Sequence, residues 1–165
     1  MKTILRKGKL ALAFAGVVVL SLSGGIAAQA QDAASTRLQG TWAVTVTQQD
    51  CQSGAQIGNP FLSLLTFAQG GTMTETTSNP MFYPSERGPG HGVWHETGHK
   101  TYRASSIALI TLNGALTAMQ TITQTIEIGD DPDTFQTTKA QVKFLAPDGT
   151  VIRTGCATAV GARYR

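Results

Sequence analysis

After residue 31 this chain has no run of basic residues, no Cys-x-x-Cys pair and no segment with convincing helical periodicity, and nowhere does it have an apolar stretch of membrane-spanning length. Each absence removes a class of protein. Nucleic-acid binding relies on clustered Lys and Arg that displace counterions. The 13 Lys and Arg outnumber 10 Asp and Glu, but four of those bases (Lys2, Arg6, Lys7 and Lys9) lie in the first nine residues, and every acid lies after residue 31. Without that leader, nine bases stand against ten acids, so no nucleic-acid partner is expected. Two isolated thiols make a poor zinc site. Gly-x-Ser-x-Gly, His-Glu-x-x-His and phosphate-cradling glycine loops are all missing, so no catalytic residue, metal or cofactor is assigned.

What the first 30 residues do contain is the three-part pattern of a secretory signal. A basic start is followed by an apolar run from Leu10 to Leu22 and a small-residue site, Ala28-Gln29-Ala30. The run of about 13 residues falls short of the roughly 20 needed for a span. Residues 1–30 therefore read as a signal peptide cleaved near Ala30, residues 31–37 as a flexible segment, and 38–165 as one domain. The product is expected to be secreted or periplasmic, with no membrane span. In an oxidising compartment the two cysteines, Cys51 and Cys156, are most simply a disulfide. It would close a loop of about 106 residues, which the chain-entropy account values at about 4–5 kcal/mol.

The rest is short runs rich in Thr, Val, Ile and aromatics, separated by Gly, Pro, Asn and Asp, the pattern of successive antiparallel strands. Eight are predicted: about 38–48, 61–67, 72–77, 91–97, 100–112, 119–128, 135–145 and 150–160. Residues 78–90 hold three of the six prolines and read as the longest loop. A disulfide between the end of the first strand and the last makes those two strands neighbours, and closure removes two exposed sheet edges. The expected fold is all-β, an eight-stranded antiparallel up-and-down barrel, in preference to a sandwich.

Gly40-Thr41-Trp42 resembles the Gly-x-Trp that opens the first strand of lipocalins, avidins and related calycin barrels. The resemblance implies that Trp42 packs across the barrel bottom and that an Arg near the last strand, Arg163 or Arg153, stacks on it. It covers the strand plan and few identities. The chain departs from lipocalins in lacking their Thr-Asp-Tyr motif, and its last predicted strand runs almost to Arg165, without their following helix. The stretch Leu38 to Cys51 also resembles secreted bacterial metalloprotease inhibitors, which are lipocalin-like barrels with one disulfide. SLLTFAQGGTMTETT and GHGVWHETGHKTY are similar to segments of a group of uncharacterised exported bacterial proteins, a resemblance that brings no activity with it.

The candidate ligand-binding residues follow from the expected inward faces. Trp94, Phe61, Leu65, Phe67 and Tyr102 would face inward, either as filler of a packed eight-strand interior or as the lining of a cavity, and Phe82 and Tyr83 on the Pro-rich loop would form a rim or lid. Gln120 and Gln124 share a face with Ile122 and Ile126, and Ser106 shares one with Tyr102 and Ile110; an apolar core would not accept them without partners. They suit a cavity holding water or a partly polar ligand. All three histidines fall in one stretch, His91, His95 and His99. On a rigid strand, Cα atoms four residues apart lie about 13 Å from each other, too far for one ion, so they read as exposed rim residues. Glu75, Glu86 and Glu96 could pair with them as acid and base only if the fold brought them together. The expected function is an exported protein that holds a small, largely apolar molecule in the barrel. The alternatives are a protein partner, as for a secreted enzyme inhibitor, and a barrel isomerase or cyclase.

Overall fold

The computed structural model describes residues 37–165; the expected leader and residues 31–36 lie outside them. Eight strands in this region form one closed antiparallel barrel in chain order. They are β1 (Gly40–Gln49), β2 (Phe61–Phe67), β3 (Thr72–Thr77), β4 (Glu86–Gly98), β5 (Thr101–Leu112), β6 (Ala115–Ile128), β7 (Thr134–Leu145) and β8 (Val151–Arg163). No helix among the described residues is long and apolar enough to cross a membrane.

The alternation read from the sequence is the alternation of burial. Along β5, Tyr102, Ala104, Ser106, Ala108 and Ile110 are buried while their neighbours face out, because successive side chains of a strand point to opposite faces. Asn113 and Gly114 both take positive φ (51° and 79°) and link β5 to β6 by a two-residue turn, the backbone that Asn-Gly favours.

Closure comes from β1 pairing with β8, in register from Trp42 opposite Arg163 to Gln49 opposite Cys156. The expected disulfide joins Cys51 to Cys156 just beyond that ladder, with the Cα atoms 5.2 Å apart.

One boundary differs in a way that matters for the site. β4 starts at Glu86, not near His91, so the second half of the expected Pro-rich loop belongs to the barrel. Arg87 pairs with Ile110 and Gly90 with Ala108, which leaves Gly88 and Pro89 opposite the single residue Leu109. This bulge accommodates a residue that has no N–H to give to a ladder. It also turns Arg87 inward at 2% side-chain exposure. β6 likewise starts earlier than expected and β8 ends later.

The core fills only one end of the barrel. Trp42, Phe67, Trp94, Tyr102 and Phe135 lie there with Leu38, Met73, Ile126 and Ile128. Trp42 and Phe135 meet edge to face at 5.0 Å, and Trp94 makes the same kind of contact with Phe67 and with Tyr102, each at 5.9 Å. Such pairs add to the large area these rings bury. Gly161 permits this packing: a Cβ there would run into the Phe135 ring.

The polar atoms of this end are matched. The Trp42 Nε1 donates to the Leu38 carbonyl at 2.9 Å, and the Arg163 guanidinium lies over the Trp42 ring at 4.2 Å. Arg163 also donates to the Gln39 and Arg37 carbonyls, both at 2.6 Å, and to Asp133 at 2.8 Å. Of the two arginines considered for the stack on Trp42, Arg163 makes it. Arg153 lies instead over the Phe144 ring at 3.9 Å.

Candidate functional site

Above the aromatic floor the inward residues become small. Ala140 on β7 and Gly155, Ala157 and Ala159 on β8 leave space that no opposite side chain fills, and a cavity of about 270 Å³ results. Its walls are mainly apolar, including Val44, Leu65, Ile122 and Val142. Its volume lies near the lower end of small-molecule pockets, which begin at about 300 Å³.

Phe61, Phe82 and Phe144 line the cavity. Phe82 is held there by a single 3-10 turn, Pro80–Phe82, whose leading residue Asn79 accepts a hydrogen bond from the Met81 N–H at 3.0 Å. The Phe82 and Phe144 rings lie 6.4 Å apart. Cys156 lines the wall too, so the disulfide fixes part of the cavity lining as well as the barrel seam.

A buried ionic cluster interrupts the apolar surface. Glu75 on β3 forms an ion pair with Arg87 on β4, and their side chains are 8% and 2% exposed. Arg87 Nη2 donates to Glu75 Oε1, Arg87 Nε donates to Gln120 Oε1, and Arg87 Nη1 donates to the Gly88 carbonyl at 3.2 Å. Ser106 Oγ adds a hydrogen bond to the same Glu75 oxygen at 3.2 Å. The close approach depends on Gly90, where a Cβ would collide with the Glu75 carboxyl. Desolvating both charges is costly and is offset only by such partners.

The residues expected to bind ligand divide into three groups. Phe61, Leu65, Phe82 and Gln124 do line the cavity. Phe67, Trp94 and Tyr102 do not; they form the floor below it. Trp94 is drawn there by its indole N–H, which donates to the Ala68 and Thr72 carbonyls at the β2–β3 turn, at 3.1 and 3.0 Å. Phe67 and Tyr102 sit at the strand ends nearest that turn and contact the same indole. Burial and the nearby Glu96 carboxylate raise the Tyr102 pKa above its usual value, with Arg37 opposing weakly. Tyr83 is 88% exposed and lies outside both the cavity lining and the floor.

Ser106, Gln120 and Gln124 face inward as the alternation predicted, and each has a partner. For Gln124 it is Thr137, whose hydroxyl donates to its side-chain oxygen at 3.1 Å. His91, His95 and His99 are all exposed, and no group of metal-ligating residues occurs among the described residues. Sequence reasoning had missed Arg87 because three nearby prolines concealed its strand. Glu75 was noted only as a prospective partner for histidine. The available signal was its position: it alternates with Met73 and Thr77 on one face of a hairpin strand.

The chain matches no protein-family model, and no curated protein matches it. Among solved structures it is similar to Rv2717c from M. tuberculosis, at 14% identity and a TM-score of 0.40, over 86% of this chain and 99% of that one.

Proposed function

We propose that this chain is an exported binding protein that holds one small, largely apolar molecule in the barrel cavity, with Phe61, Leu65, Phe82 and Gln124 among its contacts. The observation that carries the reading is the void itself. A barrel of eight strands is just narrow enough for its own side chains to fill, and at the floor they do so. Above it, Ala140 on β7 and Gly155, Ala157 and Ala159 on β8 leave the interior unfilled, and a cavity remains. Concave, mainly apolar sites with a few fixed polar groups are where small molecules bind.

Export is part of the same proposal. The three-part leader in residues 1–30 supports it, and the disulfide is compatible with an oxidising compartment. The calycin resemblance is likewise proposed rather than assigned, supported by Gly40-Thr41-Trp42 and by the Arg163 stack on Trp42. Met81 and Tyr83, 62% and 88% exposed on the turn beside the mouth, favour a protein partner as the second reading.

Native mass spectrometry of protein recovered from its exporting cell tests these readings. A chain starting near Gln31 with one small molecule bound is the expected result. The comparison is Ala157→Leu, which places a side chain in the void and should fold while losing the bound mass. Equal occupancy in Ala157→Leu, or an empty wild-type protein that also takes up no apolar probe, would refute the binding reading.

A further inference from the structure

The apolar walls do not by themselves decide what sits at the polar end of a ligand; the Glu75–Arg87 cluster does. Resting on the cavity being a ligand site, we propose that this cluster selects an uncharged ligand with a hydrogen-bonding head group, an alcohol or a primary amide, and rejects the carboxylate of the same chain length.

An inward arginine in a barrel would ordinarily favour an acid. Here its charge is already matched by Glu75, and three of its N–H groups are committed to Glu75 Oε1, Gln120 Oε1 and the Gly88 carbonyl. A ligand carboxylate seated at this cluster would lie beside the Glu75 carboxylate; the other arginine on the cavity lining, Arg153, is exposed and lies over the Phe144 ring, outside the cluster. Juxtaposed like charges in a desolvated site are a strong element of selection against the wrong partner. An ammonium could approach Glu75 but would leave Arg87 as a buried charge with its counter-ion shared.

The groups left over suit a neutral head group. Glu75 Oε1 accepts from both Arg87 and Ser106, while Glu75 Oε2 has no hydrogen-bond partner among the described residues. No fully buried side-chain polar atom there lacks a partner, so Oε2 is within reach of the cavity. Gln120 spends its oxygen on Arg87 and retains its amide N–H groups. One free acceptor and one free donor, both on cavity-lining residues, complement a hydroxyl or an amide, which both gives and accepts a hydrogen bond.

The test compares 1-octanol, octanamide, octanoate and octane by titration calorimetry at pH 8, on the disulfide-bonded protein without its leader. The alcohol and the amide should bind wild type more tightly than octanoate by about tenfold or more. In Glu75→Gln, Arg87 loses its counter-ion, and octanoate should gain about tenfold while octanol weakens. Octanoate binding wild type as well as octanol does would overturn the selection. Binding of octane as tight as octanol would overturn it too, while leaving the cavity reading intact. Binding of none of the four would remove the cavity reading itself. The wild-type series decides the matter alone if Glu75→Gln fails to fold.

Discussion

The two ends of the barrel are built from the same alternating strands yet have opposite contents. At the closed end the inward positions carry Trp42, Phe67, Trp94, Tyr102 and Phe135, and the rings fill the cross-section. Toward the open end the same faces carry Ala140, Gly155, Ala157 and Ala159, and a cavity takes the place of a core. β8 shows both regimes on one strand. Gly161 is small because Phe135 occupies its space, whereas Ala157 is small and faces the void. Side-chain size on one face, with no change of backbone, separates the filled end from the cavity.

The polar groups differ in the same way. Arg163 at the closed end spends its donors on carbonyls and Asp133 and holds its plane on Trp42. Arg87 at the open end is more deeply buried and is tied to another side chain that itself faces the cavity. The first arginine closes a structure. The second presents one.

The largest effect should come from breaking the closed end. Trp42→Ala removes a fully buried ring, its contact with Phe135 and the stacking surface of Arg163. Its cost should fall toward the top of about 3–5 kcal/mol, read by urea denaturation. A loss below 1 kcal/mol would mean that the floor does not support the barrel.

Arg87→Met attacks the other end by leaving Glu75 without its cation. A cost of about 3 kcal/mol is expected, at the lower end for such a change because Glu75 Oε2 is reached from the cavity. The double variant Arg87→Met/Glu75→Leu should recover most of it. A double variant as unstable as the single would show that the ion pair is structural in itself.

The smallest effect sharpens the comparison by pH. The raised Tyr102 pKa means that the folded state holds the phenol proton more tightly than the unfolded chain, whose value is near 10.0. Stability from this group is therefore complete below pH 10 and is lost as the pH climbs from there toward the folded value. Stability should decline in this range for wild type and decline less for Tyr102→Phe. Parallel curves would assign the loss to other groups.

Much of the frame was legible in the sequence because a period of two survives one-sided burial. The β5 and β6 faces were readable to the residue, down to the inward Ser106 and Gln120. Trp94 was also placed on its correct face, but a face does not give a height along the barrel. The indole N–H bonds that lower it to the floor reach the Ala68 and Thr72 carbonyls at the β2–β3 turn, 26 and 22 residues back along the chain. Arg87 was hidden for a different reason. Pro84 and Pro89 surround it, and only the bulge opposite Leu109 makes a strand of that segment. The Glu75–Arg87 pair is thus a product of register, which no local pattern carries.

The seam between β1 and β8 has a kinetic consequence. Every other strand pair in the barrel is joined by a connection along the chain, but this one unites residues more than a hundred positions apart, as with Cys51 and Cys156 at a separation of 105. Contacts that distant must overcome loop-closure entropy before any packing rewards them. The seam is therefore expected to zip last, with the hairpins of β4 to β7 already formed. An intact Cys51–Cys156 bond keeps the two borders of that seam within reach throughout the search. Refolding of the oxidised chain should outpace that of the reduced one, and equal rates would show that ring closure is not the slow event.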